Sequence, residues 1–571
     1  MTDALDELTG PGGPFEIVVE DVVGVPLQVY RRRLGSMRDL VEGADARGDL
    51  DWVVQGDRRL TYGEHNALVR ASAAGLLGLG VEPGDRVALL SANNVEWVVL
   101  FWACAVIGAA CVPLNAWWKG EELEFALRDS GAKVLVCDPK RWAIVRDVVG
   151  SLDGLEHVLV TDLDAPDAAA RPARELLGAA DPGVLPDVAV DEDDLLAILY
   201  TSGTTGRPKG ATITHRQALA NLQNLACLGA IAAAQGAAPP RSDLQTAYLL
   251  VVPLFHVTGA LSTMVPGYAS GGKLVLMPPG KFDPDEAMAV IEREKVTNIG
   301  GVPTVMWRIV ESESFGSYDL SSVSRIGYGG APAAPELVQR LRVAFPQVKE
   351  TLSTAYGLTE TASVATSNAG AGYLEHPSSV GRAAPTVEIR IVDPEGSEVP
   401  LGESGEIVLR GPTIMSRGYW NRPDATAAAT LPGGWFRSGD IGYLDADGYL
   451  YLVDRAKDMI IRAGENVYCV EIEHVLVEHP DVLDAAVVGV PHLQLGEEVK
   501  AVVQLRSGSA TTEADLRAYC AERLAGFKVP EYVDLRAEPL PRNPAGKVLK
   551  SVLRGDGASA FTPSAADDSA L

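Results

Sequence analysis

The chain of 571 residues reads as an α/β protein. A large N-terminal domain of stacked α/β sheets is followed by a small β subdomain and a small mobile C-terminal α+β domain. The spacing of elements predicts this. From Leu60 onward, short apolar strands alternate with helical patterns, which implies parallel sheet with helices on both faces. From about Val387, strands alternate with turns such as Asp393-Pro394-Glu395-Gly396, and helical patterns vanish until after residue 465. A last α/β unit follows. The expected boundaries are 15–456 for the N-terminal domain and 458–555 for the C-terminal one. Residues 556–571 are small, polar and acidic, and are expected to be disordered.

The segment before Leu60 carries a basic cluster, Arg31-Arg32-Arg33, which reads as a solvated face. Residues 1–14 are acidic and rich in Gly and Pro, without the basic and apolar regions of a signal peptide. A helical pattern runs to Leu79, a turn spans 80–85, and a strand spans 86–90. The unbroken apolar run 97–114 is long enough for a membrane helix. Gly108 and Pro113 interrupt it, and Glu96 and Asn115 flank it, so it divides into a buried helix at 95–107 and a strand at 110–114. A helix at 121–129 and a strand at 133–137 come next.

Residues 161–194 are rich in Ala, Pro and Asp, and end in the run Asp191-Glu192-Asp193-Asp194, read as a solvated linker in preference to a metal site. Strands at 195–200 and 210–215, a helix from Arg216 and a flexible loop at 231–240 follow. Further strands are expected at 249–253, 273–277, 298–302 and 325–328. Ligands of open α/β sheets gather at the carboxyl ends of strands. At two such ends stand Gly301-Val302-Pro303-Thr304 and Gly327-Tyr328-Gly329-Gly330-Ala331-Pro332.

Composition narrows the function. The formal charge of −27 argues against nucleic acid as a partner and against docking on anionic lipid through a basic patch. The six cysteines show no CxxC pair or zinc spacing, as expected of reduced thiols in the cytoplasm. No pattern sets the oligomeric state, and a homodimer is left open.

The chemistry centres on Tyr200-Thr201-Ser202-Gly203-Thr204-Thr205-Gly206-Arg207-Pro208-Lys209-Gly210. Glycines let the backbone turn tightly and approach a ligand, and successive N–H groups and hydroxyls make a nest for phosphates. This is no Walker A loop, because Pro208-Lys209-Gly210 stands where Gly-Lys-Ser/Thr would be needed, and a strand follows instead of a helix. On composition alone it could also be a polar hairpin turn. Five further stretches stand out. Tyr356-Gly357-Leu358-Thr359-Glu360-Thr361 follows a strand and by itself resembles a helix start that Thr359 could cap. Trp435-Phe436-Arg437-Ser438-Gly439-Asp440 places an acid beside a glycine, either a turn Asp or an acceptor for a diol. Asp454-Arg455-Ala456-Lys457-Asp458 precedes Arg462-Ala463-Gly464-Glu465-Asn466. Pro541-Arg542-Asn543-Pro544-Ala545-Gly546-Lys547 presents a lysine on what would by default be a surface loop. His256, in an apolar setting, is by default structural.

Together these stretches, in this order between about Leu60 and Lys550, resemble the adenylate-forming superfamily of acyl-CoA synthetases, peptide-synthetase adenylation domains and luciferases. The resemblance implies that Thr201, Ser202, Gly203, Thr204, Thr205 and Lys209 hold the phosphates of ATP, with Gly330, Ala331, Pro332, Tyr356 and Gly357 around the nucleotide. Tyr356 would stack on adenine, Thr359 touch the α-phosphate, Glu360 bind Mg²⁺, Asp440 hold the ribose and Arg455 reach it. Lys457 would be the hinge between the two domains. Lys547 would be the catalytic cation of adenylation, with His256 beside the entering carboxylate. Ala463, Gly464, Glu465 and Asn466 would form the face that meets coenzyme A; Ala463 stands where many relatives have a second glycine. The implied activity is ATP-dependent acyl-CoA ligation of a small-molecule carboxylic acid, forming an acyl-adenylate and then a thioester. The small residues Gly259, Ala260, Gly329 and Gly330 favour a fatty or other lipophilic acid. An aryl or steroid-derived acid is the alternative, as is an enzyme that loads the acyl group onto a carrier protein.

Overall fold

The structure, a computed structural model, describes residues 2–163, 169–201, 208–235, 243–330, 335–455, 458–462, 465–492, 495–543 and 547–555. The side chains of residues 2, 3, 45, 335, 336, 465 and 466 are outside that description.

Two large sheets carry the N-terminal part. One has seven strands, all parallel except the edge strand Lys209–Thr214, which pairs antiparallel with Leu195–Thr201. The other has nine strands, with a parallel centre that includes Asn298–Gly301, Arg325–Gly329 and Leu352–Tyr356. Helices fill the space between them, and the run flagged for its membrane length lies there. It forms the helix Val95–Val106, in which every residue except Glu96 is buried. The Asn94 side chain caps it by accepting the Trp97 N–H at 2.7 Å, and Gly108, at φ +68, takes the left-handed turn after it. Strand Ala110–Pro113 follows. Burial on all sides, against protein and not lipid, is what makes the sequence uniformly apolar. Among the described residues no helix is long and apolar enough to cross a membrane.

A third, antiparallel sheet contains Glu388–Val392, Gly405–Arg410, Trp435–Leu444 and Leu450–Arg455. The expectation of no helix there needs correction: Pro423–Ala429 is a short helix, opened by Pro423 in its first turn. A fourth sheet is built from Ile460–Arg462, Glu465–Val467, Val482–His492, Gly496–Leu505 and Tyr532–Arg536, with the helices Cys469–Val477 and Glu513–Ala521 packed on it.

Other expectations change. The helix after the phosphate loop runs His215–Ala234, so the start of the supposed loop at 231–240 is helical, and residues 236–240 lie outside the described ones. A helix, Thr2–Thr9, and a hairpin, Ile17–Val22 with Val25–Tyr30, precede the first element expected from the sequence. Arg33 is no free solvated cation: it pairs with Glu20 at 2.8 Å and Glu192 at 2.8 Å. Glu192 and Asp193 also bind Arg216, at 2.6 and 2.7 Å, so the acidic run is an ion-pair seam and not a plain linker. All six cysteines are buried and unpaired. The tail 556–571 lies outside the described residues.

Candidate active site

The phosphate-loop hairpin is closed by the pair Thr201 and Lys209, with the Thr201 hydroxyl donating to the Lys209 carbonyl at 3.4 Å. Ser202, Gly203, Thr204 and Thr205 lie outside the described residues. The far side of the hairpin packs on a second segment. The Gly210 carbonyl accepts the Trp420 N–H at 2.7 Å, and a Cβ on Gly210 would meet Ile198 Cγ2 at 2.7 Å. That second segment delivers Tyr419, a residue the sequence reading missed. The Lys209 ammonium lies 5.2 Å from the centre of the Tyr419 ring, a cation–π distance. The Tyr419 hydroxyl donates to Glu360 Oε1 at 2.7 Å. Burial, reinforced by that carboxylate, raises the Tyr419 pKa, so the phenol stays a donor.

Glu360 sits in the turn Thr359–Thr361, half-buried, and its carbonyl accepts the Met415 N–H at 2.7 Å. This turn is a single 3-10 turn and no α-helix start. The hydroxyl that closes it belongs to Thr361, which accepts the Leu358 N–H at 2.9 Å, and not to Thr359. Thr359 is half-buried beside Glu360. Gly357 is required by close approach, since a Cβ there would lie 1.5 Å from the Ser363 carbonyl oxygen.

The strand Leu352–Tyr356 ends on Tyr356, whose hydroxyl donates to Asp440 Oδ2 at 2.7 Å. Asp440 Oδ1 faces Arg455 Nε at 3.3 Å. Strand register explains the meeting: Asp440 and Arg455 are cross-strand partners in the third sheet. Asp440 is 6 % exposed, and the Ser438 hydroxyl accepts its N–H at 3.0 Å. Burial first, then the charge of Asp440, raises the Tyr356 pKa. Each carboxylate oxygen retains a lone pair for a further donor such as a sugar hydroxyl.

His256 follows Phe255, which packs edge-on against Trp117 at 4.9 Å between ring centres. His256 Nε2 is buried and without a hydrogen-bond partner among the described residues. Burial, helped by the nearby Lys547 ammonium, pushes its pKa down to about 4, so the ring is neutral at physiological pH. Lys547, from the last segment of the chain, is among the described residues the one charged group that contributes to this lowering. The Lys547 backbone is held by Asn543, whose Oδ1 accepts its N–H at 2.9 Å. Gly330, at φ +76, follows the strand Arg325–Gly329 in a conformation suited to glycine. Ala331, Pro332, Lys457, Ala463 and Gly464 lie outside the described residues; Glu465 and Asn466 are described only as backbone of the strand Glu465–Val467.

The structure thus shows Tyr356, Asp440 and Arg455 in one linked set, a carboxylate, Glu360, bonded to Tyr419, a phosphate-type hairpin with its lysine, and a neutral histidine. The AMP-binding enzyme family matches residues 40–420, and the AMP-binding enzyme C-terminal domain matches residues 471–547. The chain belongs to the AMP-binding enzyme family. It is an acyl-CoA synthetase of the adenylate-forming superfamily, an AMP-forming acid–thiol ligase. It is 39% identical over 505 residues to a feruloyl-CoA synthase of Amycolatopsis sp, covering 88% of this chain and 95% of that one. It is 37% identical over 498 residues to the long-chain-fatty-acid–CoA ligase FadD13 of Mycobacterium tuberculosis, covering 87% and 93%. Among solved structures it resembles ATP-bound MatB from Rhodopseudomonas palustris, at 31% identity and a TM-score of 0.78, covering 92% and 99%. For this member of the AMP-binding enzyme family, Tyr419 and Trp117 were the residues hidden from sequence reading. Their signal, aromatics in Gly418-Tyr419-Trp420 and Trp117-Trp118, carries no charge or spacing that marks a site.

Proposed function

We propose that the enzyme activates a fatty or otherwise lipophilic carboxylic acid in two steps in the cytoplasm. The observation that carries this reading is the linked set Tyr356–Asp440–Arg455, joined through the Tyr356–Glu360 turn to the Glu360–Tyr419–Lys209 set at the phosphate hairpin. In the first step the acid's carboxylate attacks the α-phosphate of ATP, giving the acyl-adenylate and pyrophosphate. Asp440 accepts the ribose hydroxyls and Arg455 orients that acid. The Tyr356 ring gives adenine a flat surface. Thr359 donates to the α-phosphate, and Thr201, the loop 202–205 and Lys209 hold the phosphates. The Lys547 cation stands where negative charge builds on the carboxylate and the bridging oxygen. Neutral His256 lines the acid's entry without competing for it as a second cation.

Mg²⁺ fits this donor set. Among the described residues no group of three His, Cys, Asp or Glu could hold a metal. A single carboxylate, Glu360, suits a hard cation that completes its shell with phosphate oxygens and water. When bound, the ion neutralises phosphate charge.

In the second step the 458–555 domain turns about Lys457. Lys547 then leaves, the 463–466 face enters, and the CoA thiol displaces AMP. A second reading of the acid is aromatic. It is favoured by the Trp117–Phe255 pair beside His256 and by the likeness to a feruloyl-CoA synthase.

Lys547→Ala separates the steps. ATP–pyrophosphate exchange should fall by about 100-fold or more, the scale of removing one preorganised charge from a transition state. Thioester formation from supplied acyl-adenylate should stay near wild type. Undiminished exchange in the variant sinks the reading. A panel of alkyl and aryl acids, read by AMP release, sorts the two acid classes.

A further inference from the structure

A buried carboxylate at the junction of the two lobes has no part in the chemistry above. Asp454 lies next to last in the strand Leu450–Arg455 and is 6 % exposed. Its Oδ1 accepts the Arg455 N–H at 2.7 Å. Its Oδ2 accepts the backbone N–H of Cys469. Cys469 opens the helix Cys469–Val477 of the fourth sheet, and the N-cap residue Tyr468 makes no side-chain bond to it. A helix start in one lobe is therefore satisfied by an acid from the other, with charge and helix dipole in the favourable sense.

The other charged groups here are already engaged. Lys550, from the last helix, binds Glu473 at 2.8 Å. Arg554 binds Asp458 at 2.9 Å, and the Asp458 carbonyl accepts the Cys469 thiol at 3.0 Å. Arg455 faces Asp440. Burial pushes the Asp454 carboxyl up to about 6; Lys550 opposes this and Glu473 adds to it. The contact spans residues 456 and 457, where the turning point is proposed.

We propose that Asp454 is a positioning residue for acid activation: by capping the Cys469–Val477 helix across the junction, it seats the C-terminal lobe, which carries Lys547, in the arrangement that activates the acid. The bond must open before the lobe turns to admit the thiol. Asp454 touches no substrate, and its effect runs through the placement of Lys547. The inference rests on the two-step reading above.

Two substitutions attack the bond from opposite ends. Asp454→Asn removes the charge and keeps the shape. Cys469→Pro removes the donor and leaves the acid. Proline is favoured at a first helical position, and Tyr468, at φ −89 and ψ 118, already has the extended backbone that must precede it. Cys469→Ser keeps the N–H and is the control. With the full-length enzyme, ATP–pyrophosphate exchange and single-turnover thioester formation from supplied acyl-adenylate are measured from pH 5 to 9. Asp454→Asn and Cys469→Pro should each slow exchange about tenfold, the scale of one hydrogen bond to a charged group. Thioester formation should be unchanged or faster, and Cys469→Ser should match wild type. Equal loss in both half-reactions with a lower unfolding midpoint would reduce Asp454 to a structural role and overturn the proposal, as would a wild-type ratio in Cys469→Pro. Hydrogen exchange of the Cys469 amide reads the bond without any acid substrate. Faster exchange in Asp454→Asn supports the latch, and unchanged protection overturns it, even if the wild-type enzyme proves inactive with every acid tried and the ligase reading itself fails.

Discussion

The two sides of this site are built differently. The nucleotide side is cross-linked by a set of direct contacts: Tyr356 to Asp440, Asp440 to Arg455, Tyr419 to Glu360 and to Lys209, with glycines where backbones touch. The side that brings Lys547 is joined by contacts that include the buried Asp454 bond and the Arg506–Glu311 pair. Preorganised charge needs the first kind of construction, because a fixed dipole costs nothing to orient at the moment of reaction. A part that must leave between two steps needs the second. Perturbations on the nucleotide side should therefore abolish binding or folding, whereas those at the junction should shift the balance between half-reactions.

The largest effect is expected at Gly357. A methyl there would overlap the Ser363 carbonyl, so Gly357→Ala must displace the turn that carries Thr359 and Glu360. A loss of about 3 kcal/mol of stability, or no soluble protein, is expected from overpacking against backbone. A wild-type urea midpoint with intact ATP binding would show the turn to be softer than its contacts imply. Next comes Asp440→Asn, which leaves Tyr356 a neutral partner and Arg455 none at that oxygen. Hydrogen bonds to charged groups are worth about 1.5–3 kcal/mol, so KM for ATP should rise roughly 10- to 100-fold. Loss in kcat alone would place Asp440 elsewhere in the reaction.

At the junction the sign reverses. The Asp454 carboxyl is raised from 3.8 to about 6, so the folded chain holds this proton more tightly than the unfolded one. Stability from this group is then greatest at low pH, falls as pH rises from about 3.8 to 6, and stays reduced above that. Asp454→Asn should therefore gain about 1–2 kcal/mol over wild type at pH 8, discounted from the full linkage because the amide loses the charged bond to Cys469. The gain should vanish near pH 4. A variant that is less stable at pH 8 would mean the capping bond outweighs the cost of the buried charge. A more stable but less active variant would show that the junction trades stability for movement.

Much of this was legible in the chain because the local chemistry is local in sequence. A hairpin of glycines and hydroxyls, or a Tyr and a Glu four residues apart, needs no tertiary contact to be noticed. The element order was equally readable, since Gly108 and Asn94 punctuate even the apolar run around Val95–Val106. What was hidden depended on partners far away. Arg33 looked solvated because its partner Glu192 lies 159 positions on, and Tyr419 looked like filler because Glu360 lies 59 positions back. Asp454 stood inside a stretch read only as a hinge; its burial and its bond to Cys469 belong to the docked arrangement and to no pattern of residues. The hairpin Ile17–Tyr30 did leave a trace, the turn at Val23-Gly24 between valine-rich strands, which the basic cluster after it obscured.

The smallest effect tests whether exposed charge also steers the lobe. Arg506, just past the strand Gly496–Leu505, lies 3.3 Å from Glu311 at the end of the helix Pro303–Val310. Glu311 also meets Arg340 at 3.3 Å, so it keeps a cation when Arg506 is removed. The Arg506 side chain is 38% exposed, and exposed pairs contribute about 0–1 kcal/mol. Arg506→Gln should change the ratio of the two half-reactions less than about threefold, and the change should disappear near 0.5 M salt, where screening is nearly complete within a few ångströms. Asp454→Asn, buried away from counterions, should keep its effect at that salt. If the Arg506 variant matched it in size and salt resistance, the docking energy would be spread along the interface, and the single buried bond would lose its special place.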